Sequence, residues 1–210
     1  MMLADSIADG IAAGLLAPGD RIVETTIAEQ MGVSRVPLRE ALKVLHAQGI
    51  LAGGDHKGFR VVSFDTGKIR QVLEVRFGLE VLLLRDAIGV WRTGRGSLEP
   101  LMNALEVMRR AANSADLSAA LRADLDIHRS ISEASGNEIA ATLWRAIARH
   151  VLIIFSLERR SPSVINTLVL QHQEFIRFIQ QELSKGPSLR RIREHLTNHI
   201  FAASDHRLDM

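Results

Sequence analysis

The chain has 210 residues, 47% apolar and 24% charged, with a formal net charge of +2 and no cysteine. This length suits one large domain or two small ones, and the composition is that of an ordinary globular protein. The lack of cysteine excludes disulfides, thiolate metal sites and cysteine catalysis.

The isoelectric point near 9.5 says little about partners. With no Cys, no Tyr and few Lys, little titrates between neutrality and about pH 10, so a small Arg excess raises it. No uninterrupted apolar run reaches the roughly 18 residues of a membrane span. The start lacks the basic stretch of a signal peptide. A cytoplasmic protein without a membrane partner is expected.

In chain order, residues 4–16 form a helix ended by Gly14 or by Pro18-Gly19. A second short helix starts near Glu24 and turns Ile27, Ala28 and Met31 inward. Gly32 marks a sharp turn where positive φ is tolerated. Ser34 then caps a third helix with Pro37 in its first turn, buried through Leu38, Ala41, Leu42 and Leu45. Helix, tight turn and helix make a helix-turn-helix, whose second helix enters the major groove by its N-terminal residues. A β-hairpin wing follows, with His56, Lys57 and Gly58 at its tip.

From about Asp65 onward the pattern is helical, with breaks at Thr93–Ser97, Asn113-Ser114, Ser135–Asn137, Ser161–Ser163 and Lys185–Ser188. The fold class is mainly α: a winged helix-turn-helix at residues 1–63, a linker at 64–67, and an antiparallel all-α bundle at 68–210. The bundle is expected to hold the effector and metal sites and the dimer contact.

Arg35 and Arg39 lie four apart on one face of the third helix. Arg suits guanine O6 and N7, or a phosphate, because its planar fork donates two parallel hydrogen bonds. Solvated surface arginines are the plain alternative. The charge of residues 1–63 does not decide, with six Lys and Arg against seven Asp and Glu.

In the bundle, Asp124 and His128 share a helix face at i and i+4, and His172 and His195 lie on later helices. A carboxylate and imidazoles would suit a borderline divalent cation. His199, one turn beyond His195, leaves a rival His195/His199 pair open. Arg76 either enters a pocket or pairs with Glu74 or Glu80. Trp91 and Trp144 are expected as packing residues, Asn137 as a helix cap, and Arg145 as facing either pocket or solvent.

The run Gly32-Val33-Ser34-Arg35-Val36-Pro37-Leu38-Arg39-Glu40-Ala41-Leu42 closely resembles the GntR family of bacterial regulators. The resemblance implies DNA contacts by Ser34, Arg35, Val36, Arg39, Lys57 and Gly58. Val36 stands where a small polar residue, often Thr, is common. The string from Asp124 to Asn137 resembles the D-x-x-F-H-x-x-[IL]-x-x-A-S-G-N signature of FadR-type ligand-binding (FCD) domains, with Ile127 replacing Phe. By that resemblance Asp124, His128, His172 and His195 hold a divalent metal: Zn²⁺ first, with Ni²⁺ or Mn²⁺ as alternatives. Gln171 replaces a common Glu before the third ligand position. Leu73–Glu80 resembles the helix whose Arg grips an effector carboxylate, which assigns Arg76 to effector binding.

The expected function is a dimeric, non-enzymatic transcriptional regulator, a repressor. It would bind a palindromic operator in double-stranded DNA under the control of a small organic acid. The alternatives are a regulator for which the cation is itself the signal and, more remotely, a metal-dependent hydrolase with Asp126 as base.

Overall fold

The computed structural model describes residues 3–54, 58–158 and 162–205. The first three helices are α1 (Leu3–Ala12), α2 (Glu24–Met31) and α3 (Arg35–Ala47). Helix α1 stops four residues earlier than the pattern predicts, because Gly14 already turns the chain at φ +77°. Between α2 and α3, Gly32 adopts φ +63°. The Gly32 and Val33 amides then donate to the carbonyls of Glu29 and Ala28, closing α2.

Strands β1 (Leu51–Gly54) and β2 (Gly58–Val61) pair antiparallel, with Leu51 opposite Val61 and Gly53 opposite Phe59. Residues 19–22 run beside β2: the Gly19 amide donates to Val61 and the Ile22 amide to Phe59. Phe59 anchors the hairpin on a core of Ile7, Ile11, Leu38, Leu42 and Leu45.

The bundle comprises α4 (Thr66–Arg92), α5 (Glu99–Asn113), α6 (Leu117–Ala134), α7 (Glu138–Glu158), α8 (Pro162–Lys185) and α9 (Leu189–Asp205). Helix α4 begins within the stretch expected as linker, because Asp65 caps it by accepting from the Lys68 amide at 2.8 Å. Asn137 caps α7 by accepting from the Ala140 amide at 3.1 Å. Its amide nitrogen also donates to Asp86 Oδ2 at 3.2 Å, tying the start of α7 to α4.

Helix α7 joins the two halves. Its Ile153 is fully buried in the N-terminal core, while its Trp144, 2% exposed, sits in the bundle core. By length and mean hydropathy Glu138–Leu157 could cross a membrane, yet half of that stretch is buried inside this fold. It packs against α1, α4 and α6.

Candidate functional site

The N-terminal end of α3 is presented to solvent. Arg35 is exposed and Val36 is 73% exposed, so neither is spent on packing. Ser34 occupies the N-cap position in an extended conformation, but its side chain makes no cap hydrogen bond. The first turn of α3 has no acidic residue, so the positive end of its dipole is unopposed there. Arg39 is oriented by Glu24 of α2, with Nε 3.1 Å from Oε2. Gly58 adopts φ +69° at the start of β2. Lys57 lies outside the described residues.

The second constellation is buried in the bundle. Arg76 and Glu80 come from α4, Asp124 and His128 from α6, His172 from α8 and His199 from α9. Arg76, Glu80, Asp124, His128 and His172 are each at most 4% exposed. Arg76 Nε donates to Glu80 Oε1 at 2.8 Å, and Trp144 Nε1 donates to the same oxygen at 3.2 Å. Glu80 Oε2 lies 2.9 Å from His128 Nδ1.

The His172 Nδ1 position faces the Leu168 carbonyl at 2.9 Å, which fixes the tautomer with Nδ1–H as donor. The His172 Nε2 faces Asp124 Oδ1 at 3.1 Å. His128 and His199 approach through Nε2 at 3.3 Å. One ring nitrogen from each of His128, His172 and His199 lies within 4.8 Å of the others.

The structure thus gathers Asp124, His128 and His172 as expected from the sequence, but His199 completes the group and His195 does not. His195 lies one turn earlier on α9, stacked on Phe178 at 4.2 Å between ring centroids and on Phe175 at 5.5 Å. The signal for His199 was in the helix period. Ile192, Leu196 and Ile200 form the buried stripe of α9. At about 100° per residue, His199 sits about 60° from its centre and His195 about 100°.

The cluster's electrostatics suit a cation. Arg76 and Glu80 cancel, leaving the charge of Asp124 among the ring nitrogens. Burial drives the Asp124 pKa upward, but His172 first, then Arg76 and His128, hold it below its ordinary value. Burial likewise opposes ionisation of Glu80, yet Arg76 and His128 bring its pKa down to about 2. For His199, burial and then His172, His128 and Arg76 press the pKa well below 6.5, against the pull of Asp124.

Glu80 Oε2, Asp124 Oδ2, His128 Nδ1 and His172 Nε2 are all buried without a well-formed hydrogen bond. Buried polar atoms rarely stay unsatisfied, and a carboxylate and imidazoles left so within one cluster fit the surroundings of a divalent ion. Glu80, which faces His128 Nδ1 from the side, was missed as a site residue although the Arg76 motif contains it.

The remaining expectations resolve locally. Arg145 donates to Thr142 Oγ1 on the exposed surface, and Trp144 is a hydrogen-bond donor as well as a packing residue. Asp126, the base of the hydrolase alternative, pairs with Arg129 at 3.0 Å, both side chains about half exposed. A cleft of about 420 Å³ opens elsewhere, at the seam of α1, α6 and α7, lined by Asp9, Leu121, Arg122 and Leu152 among others.

Residues 71–202 match the family model described as FCD domain. Residues 2–61 match that of bacterial regulatory proteins, gntR family. The "Probable D-xylose utilization operon transcriptional repressor" of Paenarthrobacter nicotinovorans is 29% identical over 153 residues, covering 73% of this chain and 66% of that protein. The gluconate operon transcriptional repressor of Bacillus subtilis is 28% identical over 138 residues, covering 64% of this chain and 54% of that protein. The matched stretches span between 34% and 66% of the length of the first curated relatives. The solved structure of Escherichia coli McbR/YncC superposes with a TM-score of 0.77 at 20% identity, covering 97% of this chain and 93% of that one, and so shares the fold. The two models together span the head and the bundle, and both curated relatives are named as transcriptional repressors, not enzymes. The chain belongs to the GntR family of bacterial regulatory proteins, with an FCD domain as its C-terminal half.

Proposed function

We propose that the chain is a cytoplasmic transcriptional repressor that reads a palindromic operator as a homodimer. Its DNA affinity is set by a divalent metal and a small organic acid bound in the bundle. The observation that carries the sensing half is the cluster of the buried Asp124, His128 and His172 with the partly buried His199, and its unsatisfied polar atoms. These four residues would hold the metal, and Glu80 and the Leu168 carbonyl orient His128 and His172. A bound Zn²⁺ would supply a Lewis-acidic anchor for an effector carboxylate, and Arg76 the charge beside it.

The reading half rests on Ser34, Arg35, Val36, Arg39 and Gly58 at the exposed end of α3 and the wing, with Lys57 as a further contact. Pairing of two copies is supported by large apolar side chains left in solvent on two adjacent helices: Val75 and Leu82 on α4, Ile139 and Leu143 on α7. A second copy would cover them.

A second reading has a specific observation in its favour. Arg76 is already paired through Nε with Glu80 in the buried interior, so its charge is balanced without an acid and the metal itself would be the signal.

The test is a mobility-shift titration of the gene's own upstream region, with elemental analysis of the same preparation. About one equivalent of metal per chain, and loss of sequence-specific binding in the Arg35→Ala/Arg39→Ala variant, are expected. Binding unaffected by that double substitution refutes the DNA assignment. Metal content unchanged in Asp124→Ala and His128→Ala variants refutes the metal site.

A further inference from the structure

A helix leaves its last carbonyls without intrahelical partners, and that end carries partial negative charge. At the C-terminal end of α3 the chain's own amides meet the carbonyls of Val44, Leu45 and His46, and the bundle meets the two that follow, at the C-cap Gln48 and at Gly49. His150 of α7 places Nε2 2.9 Å from the Gln48 carbonyl, and Lys68 of α4 donates its Nζ to the next carbonyl, Gly49, at 3.1 Å. Arg149 adds a side-chain clamp. Its Nη1 donates to Gln48 Oε1 at 3.1 Å and its Nε to Asp5 Oδ1 of α1 at 2.9 Å. The Arg149 side chain is only 13% exposed and that of Asp5 40%, so these bonds are partly shielded from water. One turn on, Ile153 is fully buried in the N-terminal core.

The two helices that grip α3 are the two that carry Arg76, Glu80 and Trp144 into the buried cluster. They are joined there by the bond from Trp144 to Glu80. Trp144 and His150 are six residues apart, about 9 Å of helix. A shift of α7 at one end is therefore delivered rigidly to the other.

We propose that Lys68, Arg149 and His150 are positioning residues: they cap the DNA-reading helix from the sensor bundle and so fix the orientation of the head. The inference rests on the reading of this chain as a regulator with paired heads. In that setting the angle of each head decides which separation between half-sites a dimer can span.

The experiment is selection of bound duplexes from a random pool by the full-length protein and by Lys68→Met, Arg149→Met and Gln48→Ala variants, each checked for an intact cooperative melt. The wild type should recover an inverted repeat with one dominant spacing. The variants should recover the same half-site with two or more spacings, and bind an isolated half-site within about twofold of wild type. A single unchanged spacing in all three variants overturns the inference while leaving DNA reading intact. So does loss of the half-site sequence itself in Arg149→Met with Gln48→Ala unaffected, since that marks a purely structural role. A wild-type protein that recovers no repeated half-site overturns the operator reading, and this inference with it.

Discussion

Substitution of His199 and His195, one at a time, separates the ligand set of the structure from that of the motif. With free metal at about a hundredfold its Kd, binding to the folded state stabilises it by about 2.7 kcal/mol. In a chain of this size each kcal/mol moves the melting temperature by about 2–4 °C, so metal should raise it by about 5–11 °C. His199→Ala removes one of the three converging ring nitrogens, so this increment should fall to near zero. His195→Ala removes ring stacking on Phe178 and Phe175, worth about 0.5–1.5 kcal/mol per pair. It should lower the metal-free and metal-loaded melts together and leave the increment between them. Differential scanning fluorimetry with and without Zn²⁺, on protein first stripped by chelator, measures both quantities. An increment lost in His195→Ala and kept in His199→Ala refutes the assignment from the structure and restores the motif's own ligand.

Other consequences are as direct. Arg35→Ala and Arg39→Ala should each cost about 1–3 kcal/mol of sequence discrimination, and Glu24→Gln should mimic part of the Arg39 loss by freeing its guanidinium. Competition against non-specific duplex measures this, and equal losses on specific and random DNA would contradict base reading. Burial holds the pKa of His150 below its ordinary 6.5, partly offset by the carbonyls of Gln48 and Ala146. His128 and His199 are lowered too, burial again being the first cause. These groups fold neutral, so their stability contribution is complete above pH 6.5 and is lost as pH falls below it. Metal-free protein should melt lower at pH 5.5 than at 7.5, and a melt that is flat or rises on acidification would contradict the burial of these rings. Asn137→Ala loses the α7 cap and the link to Asp86, a cost of about 0.5–2 kcal/mol that chemical denaturation reads. Ile153→Ala should cost about 2–5 kcal/mol and loosen the head before the bundle, which hydrogen exchange resolves.

The head was legible because its information is local. Gly32 and the stripe of Leu38, Leu42 and Leu45 set turn and core within one short stretch, although Ser34 at the N-cap makes no side-chain cap bond. The six bundle helices were legible from period and breaks. The choice between His195 and His199 was not made from spacing, since both lie at helical intervals; it needed the direction of the α9 core stripe. Glu80 was hidden because i+4 pairing with Arg76 is also the plain reading of an exposed helix. Only burial turns it into a site residue. The grip of Arg149 on Gln48 and Asp5 spans 101 and 144 residues, and no local pattern encodes it.

The measurement closest to the central claim is operator affinity of the same full-length protein, metal-loaded and metal-stripped, across a panel of small organic acids. Metal, or metal with one class of acid, should change the operator Kd by about five- to 150-fold, the usual range of coupling between sites. Binding to non-specific DNA should stay unchanged. One operator Kd under every combination, with metal demonstrably bound, would contradict this coupling: the buried cluster would then be a structural centre and not a sensor.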